Sequence, residues 1–269
     1  MTLLSDQADD IRALVAAADP GAVWAVGDAD GVHAGSHHAD GGGGNRDADA
    51  DPDPEEPVDV GGLLGVLALW PVVGSLVEEG ALRLHTPLAA YGDTDAPAGT
   101  TVHHLLTHPG GTAALTRLAE HLSGSALGEL AATRIWRPLG MAGTRLADGT
   151  LYAPPADLVR FLRHLLSPAP APTPEGGAAI TRAWTAESLR IRTGELAPAR
   201  GLLWHPAPHG VWTHPAPADH GQALWISPRY HRWAMLLPTP AGPRPLRSAF
   251  REAVFARTGA RGLPGCDVR

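Results

Sequence analysis

GGLLGVLALWPVVGSLVEEGALRLHTPLAAY, residues 61–91, opens on two glycines, runs apolar for most of its length, then meets two acids and a glycine. The apolar run predicts a buried helix over residues 60–80. Gly80 is its expected C-cap, because glycine adopts the left-handed conformation without a Cβ clash. The segment leading into that helix, VDVGGLLG at 58–65, holds no serine, cysteine or lysine, and no acid after Asp59. Glycine and leucine fill the entrance of this helix, with no reactive side chain among them.

Outward from this helix the chain alternates clear signals. Residues 5–18 start on a capping serine, carry acids in the first turn and place Ile11, Leu14 and Val15 at helical spacing. AVWAVGDADGVHAGSH, residues 22–37, reads as a hairpin turning at GDADG. Residues 39–57 are glycine-rich and acidic, a flexible solvated loop. Its carboxylates lack the fixed glycine and closing glutamate of a calcium loop, so no metal is expected there. TTVHHLLTHPGG, residues 100–111, predicts a short helix, and residues 113–141 predict two helices divided by SGS. YAPPADLVRFLRHLL is a proline-started helix with Leu158, Phe161, Leu162 and Leu165 on one face. SPAPAPTPEGG, residues 167–177, reads as a linker. GLLWHPAPHGVWTH, QALWIS and HRWAMLLPT predict antiparallel strands with a tight connection at SPRY, and PLRSAFREAVFARTG a last amphipathic helix.

Strands near both ends of the chain with helices between them predict an α/β (α+β) domain. One antiparallel sheet draws on residues 1–60 and 191–269, and residues 61–190 form a helical subdomain. The 269 residues suffice for one composite domain with a sizeable core.

Net charge is −7 and no basic run interrupts it, which argues against nucleic acid or an anionic membrane as partner. All 21 basic residues are arginine, so no lysine amine is available as base or Schiff-base former. The single cysteine, Cys266, excludes an internal disulfide and a cysteine-based zinc cluster. No stretch offers 18 uncharged apolar residues, and the N-terminus has acids where a signal peptide needs positive charge. A soluble cytoplasmic protein without cofactor is expected.

Several phrases in order, LVEEGALRLHTPLAAY at 76–91, TVHHLLTHPGG at 101–111, RIWRPLGMAGTRL at 134–146, GTLYAPPADLVRFLRHLL at 149–166 and ALWISPRYHRWAMLLPT at 223–239, carry a family resemblance. The chain resembles the serine β-lactamase and penicillin-binding-protein superfamily, in particular its class C β-lactamase and esterase branch. The resemblance runs from about residue 5 to about residue 260 and implies a β-lactamase/transpeptidase-like fold. It also implies three catalytic motifs: Ser-x-x-Lys, a Tyr-x-Asn or Ser-x-Asn, and a Lys-Thr-Gly or His-x-Gly. A gapless match puts Gly62 where the serine would stand and Gly65 where the lysine would stand. The loop that would carry the second motif is shortened, and Tyr91, Tyr152 and Tyr230 all lie elsewhere. The third slot falls on Ala216–Ala218 or, with a small shift, on His214–Ala216. The resemblance therefore implies a family-type protein without family-type acyl-serine chemistry.

Other groups remain as candidates. No serine lies in a Gly-x-Ser-x-Gly elbow. The spacing of the histidines in WHPAPHGVWTHPAPADH fits no metal template. His214, Asp219 and His220 lie near the third slot and are candidates for acid/base work. His108 matches a position where the family carries histidine for structural reasons. Gly62, Gly65, His108, Trp204, Trp212 and Trp225 are the candidate pocket residues, a set suited to a flat or apolar ligand. The expected function is a non-hydrolytic ligand-binding or scaffold protein built on the cleft, with a small apolar ligand or a protein as partner. The alternatives are a repurposed enzyme doing non-covalent acid/base chemistry on a small apolar substrate, and a serine hydrolase or esterase with a relocated nucleophile.

Overall fold

The computed structural model describes residues 5–36, 53–92, 96–167, 180–196, 198–215 and 221–256. Helix α1 (Ser5–Ala18) is followed by strands β1 (Val23–Gly27) and β2 (Val32–Gly35) and by the short strand β3 (Val58–Asp59). The helix expected over 60–80 is one helical path in three windings. These are a 3-10 turn at Gly61–Leu63, a π-turn at Gly65–Leu69, and α2 (Trp70–Glu78). Helices α3 (Val102–Thr107), α4 (Thr112–Ser123) and α5 (Leu127–Ala131) follow, the last continued by a π-turn at Ala132–Trp136. Strands β4 (Arg145–Ala147) and β5 (Thr150–Ala153) precede α6 (Pro155–Leu166) and α7 (Arg182–Ser188). The C-terminal part holds β6 (His205–Ala207), β7 (Val211–Thr213), β8 (Ala223–Ser227), β9 (Arg232–Leu237) and α8 (Leu246–Phe255).

The main sheet has six antiparallel strands in the order β2-β1-β9-β8-β7-β6. β1 therefore lies beside the last strand of the chain, as the sequence predicts. Every residue of β1, β8 and β9 is buried, because both faces are covered. Side chains alternate between the faces along each strand. Trp24, Val26, Ala223, Trp225, Ala234 and Leu236 pack under α1 and α8. Val23, Ala25, Leu224, Ile226, Trp233 and Met235 belong to the larger core with the central helices. α1 and α8 are tied at one end. The Gln7 amide donates to the carbonyls of Ala253 and Val254, and Arg232 donates to Val254, which satisfies the last carbonyls of α8.

The helical subdomain expected over 61–190 also contributes β4 and β5 to a second, three-stranded sheet, β3-β5-β4. The turn between β4 and β5 is Asp148-Gly149, both with positive φ. Such a pair fits the twist of a two-residue hairpin, and the Asp-Gly dipeptide is its sequence sign. Of the acidic loop at 39–57, only residues 53–57 fall among the described residues. They are docked rather than free: the Pro54 carbonyl accepts from Ala156 N at 3.1 Å, and Glu55 pairs with Arg160 at 3.5 Å. The 168–177 part of the expected linker and Cys266 lie outside the described residues. No helix among the described residues is long and apolar enough to cross a membrane.

Candidate functional site

The path from β3 into the 61–78 helix is fixed by local bonds. Asp59 Oδ1 accepts from Gly61 N at 2.8 Å, an aspartate turn that starts the first winding. Val60 N donates to Leu151 O at 2.8 Å, and Gln222 Nε2 donates to the Asp59 carbonyl at 2.6 Å. The helix entrance is thus clamped between the small sheet and the start of β8. Further along, Pro71 has no N–H to offer the Leu67 carbonyl one turn back, which would leave a buried acceptor unpaired. The indole of Trp136 donates to that carbonyl at 2.9 Å. The π-turn immediately before Pro71 closes on a bond from Trp70 N to Gly65 O.

Gly62 and Gly65 sit on the wall of a cavity of about 560 Å³. Gly62 is buried, and a Cβ built on Gly65 would meet no atom within 4 Å. The helix therefore shows the cavity bare backbone. The apolar part of the wall comes from Leu64, Val66, Leu69, Leu106, Ala113 and Leu203. The polar part comes from His108, Thr112, Thr116, Arg200, His205 and His214. The cavity wall has no carboxylate, cysteine, serine or tyrosine among the described residues.

His214 is buried at 2 % exposure. Burial, first, and the nearby Arg247 and His205, next, push its pKa down to about 3, so the ring is neutral. Its Nδ1 lies 3.0 Å from the Pro215 carbonyl, which can only accept. The proton of the neutral ring is therefore on Nδ1, and Nε2 presents a bare lone pair. That Nε2 has no hydrogen-bond partner among the described residues. His205 is half-buried, and burial together with Arg200 and Arg247 lowers its pKa. His108 ends α3. Its Nδ1 lies 3.0 Å from the His104 carbonyl, and its ring stacks on His104 with centroids 4.1 Å apart. That carbonyl also accepts from the His108 backbone N–H at 3.0 Å and from Thr107 Oγ1 at 3.2 Å, so the ring reinforces the last turn of α3 at the rim of the cavity.

Gly62, Gly65, His108 and His214 thus come together around one space. The three tryptophans do not. Trp225 points to the other face of the main sheet, where it packs on Phe250 at 5.7 Å and under the Arg247 guanidinium. Strand alternation decides this: Leu224 and Ile226 take the central-core face, so Trp225 takes the opposite one. Trp204 is buried edge-on against Trp70, with centroids 5.6 Å apart. Leu203, at φ 59°, turns the chain just before it. Leu203 keeps the cavity wall and Trp204 goes to the core. Trp212 is half-buried against that core, beside Gly201, where a Cβ would lie 3.1 Å from its ring. Asp219, His220 and the Ala216–Ala218 slot lie outside the described residues. Sequence reasoning missed Arg200 and Leu203, and reached His205 only as one of several histidines near the expected cleft. Arg200 and Leu203 sit on an irregular loop whose only sequence sign is the glycine at 201, and His205 opens β6 just after it. Leu203 N donates to Leu106 O at 2.8 Å and brings the loop to the end of α3.

A scan against protein-family models gave no match, and no curated protein matched. Solved structures did. A β-lactamase from Mycobacterium bovis superposes with a TM-score of 0.67 at 21% identity, over 89% of this chain and 95% of that one. A class C β-lactamase from Rhodobacter sphaeroides gives 0.69 at 15% identity, over 94% and 99%. The chain has the β-lactamase fold. Simvastatin synthase from Aspergillus terreus has it too, with a TM-score of 0.67 at 14% identity, over 95% of this chain and 98% of that one. Within the β-lactamase fold, the cavity above Gly62 and Gly65 lies between the 61–78 helix, the start of α4 and the β6–β7 edge of the main sheet.

Proposed function

We propose that this chain is a β-lactamase-related protein without the family's serine chemistry. It binds a small, largely apolar ligand non-covalently in the cavity above Gly62 and Gly65. One observation carries the reading: the cavity wall offers backbone and leucine where a nucleophile and its lysine would be, yet the space itself is open. All nine serines lie among the described residues, and none lines the cavity. Ser75 is buried and donates to the Val72 carbonyl. Ser123 and Ser125 line a separate groove. A relocated serine nucleophile in this cleft is therefore disfavoured.

The acid/base alternative has one observation in its favour, the bare Nε2 of His214. Its low pKa weighs against it, since a group with pKa about 3 is a weak base at neutral pH and efficient proton transfer needs a pKa near the operating pH. A lone pair that accepts a hydrogen bond from a ligand fits better. The open volume also supports a binding role, since it lies within the range of about 300–1,000 Å³ usual for small-molecule sites.

Two measurements test the reading. A fluorophosphonate probe should leave the native protein unlabelled; stoichiometric labelling of any serine would overturn it. The neutral dye Nile red should bind saturably, and Gly65→Leu, which places a side chain in open space, should weaken uptake while the protein stays folded. Dye binding indifferent to Gly65→Leu would place the ligand elsewhere.

A further inference from the structure

The cavity is electrostatically one-sided. Arg200 lines it, and its guanidinium has no carboxylate partner among the described residues. Arg247 lies close enough to depress both His205 and His214. Those two histidines are held in their neutral form, so they do not satisfy an anion in place of Arg200. α4 begins at the same wall. Thr112, its first residue, lines the cavity, and its N-cap is Gly111, which has no side chain to accept from the free N–H groups of the first turn. Gly111 is held to glycine by contact: a Cβ there would lie 2.3 Å from the Leu105 carbonyl oxygen. The Leu203–Leu106 bond ties the Arg200 loop to the end of α3, from which the chain leads directly into α4. The buried, unpartnered Nε2 of His214 adds a second requirement, a neutral donor on the ligand.

We infer that the ligand is a monocarboxylate with an apolar body and one neutral hydrogen-bond donor. The carboxylate meets Arg200 beside the start of α4. The apolar body lies over Gly65 between Leu69, Leu106 and Leu203. The donor, a hydroxyl or an N–H, meets His214 Nε2. This rests on the ligand-binding reading above and adds to it the chemistry of the ligand. No bond is made or broken.

Calorimetric titration of the full chain with decanoate, decanol, decyltrimethylammonium and a series of hydroxydecanoates tests it. Decanoate should bind about tenfold or more tightly than decanol, the worth of one charged hydrogen bond. The cation should be excluded. Arg200→Gln, on a loop outside the core, should bring decanoate to the level of decanol and leave decanol unchanged. At least one hydroxydecanoate should exceed decanoate, and His214→Leu should remove that advantage without weakening decanoate. Decanol and decanoate binding equally, with Arg200→Gln silent, would overturn the inference and leave the ligand-binding reading standing. No binding by any probe, together with no uptake of Nile red, would overturn the reading itself.

Discussion

The indole N–H of Trp136 donates to the carbonyl of Leu67 at 2.9 Å, across 69 residues of sequence. That carbonyl is the one Pro71 leaves without an intrahelical donor. Trp136 therefore completes the 61–78 helix from outside it. Trp136→Phe keeps most of the apolar volume and strands a buried acceptor, so it should destabilise the fold by about 1–3 kcal/mol. In a Pro71→Ala background, which restores a backbone donor at that position, the cost should shrink. Urea unfolding of the four proteins in a double-mutant cycle measures the coupling. Equal costs in both backgrounds would mean that the bond does not compensate for the proline.

Two helical glycines should respond in opposite directions. A Cβ at Gly74 would lie 2.4 Å from the Trp184 indole nitrogen, which also donates to the Trp70 carbonyl. Gly74→Ala should cost about 1–3 kcal/mol through overpacking, in spite of the better helix propensity of alanine. At Gly65 a Cβ meets nothing, so Gly65→Ala should stabilise by about 0.5–1 kcal/mol. Thermal and urea unfolding of the two variants check the sign of each.

The buried imidazole of His214 should make stability fall with acid. Its folded pKa is about 3, below the ordinary 6.5 of an unfolded histidine. Its contribution is fully present above 6.5 and is lost as pH drops from there toward 3, at up to about 1.4 kcal/mol per pH unit. His103 and His205, also lowered by burial first, act with the same sign. His214→Gln, which does not titrate, should move the acid-unfolding midpoint to lower pH, followed by circular dichroism. An unchanged midpoint would show that His214 is not buried neutral in the fold.

Asp157 is fully buried at the start of α6. One oxygen accepts from Gly143 N at 3.0 Å and Thr144 Oγ1 at 2.8 Å, while the other takes the Arg160 guanidinium. It thereby pins the segment before β4 to α6. Asp157→Ala should cost about 3 kcal/mol, because it strands the buried Thr144 hydroxyl and the half-buried Gly143 N–H. Hydrogen exchange should locate the loss at residues 141–153, and protection unchanged there would refute the pinning role.

The two long apolar helices, the N-terminal hairpin and the last strand pair were legible because each repeats its pattern over many residues. β4 and β5 were not, since three- and four-residue strands give too short an alternation to stand out. Only the Asp148-Gly149 turn marked them. At the site, Gly62 and Gly65 were legible only through the family resemblance, whose gapless match implies the serine and lysine positions there. The tryptophans misled, because the same side chain suits a core and a pocket wall, and sequence gives the face only relative to its neighbours.

By itself, the sequence determined that this chain has no lysine, nine serines in unremarkable contexts and two glycines at a helix entrance. It also determined the α+β order of elements that the β-lactamase fold requires. Composition and periodicity are local and additive, so they can be counted along a chain. The tertiary structure alone decided that the space over Gly65 is open, that Arg200 and His205 share it, and that His214, whose buried Nε2 has no partner among the described residues, forms part of its wall. Those are properties of what approaches from elsewhere in the chain. Leu203 bonding to Leu106, and Gln222 bonding to Asp59, bring together segments about 100 and 160 residues apart.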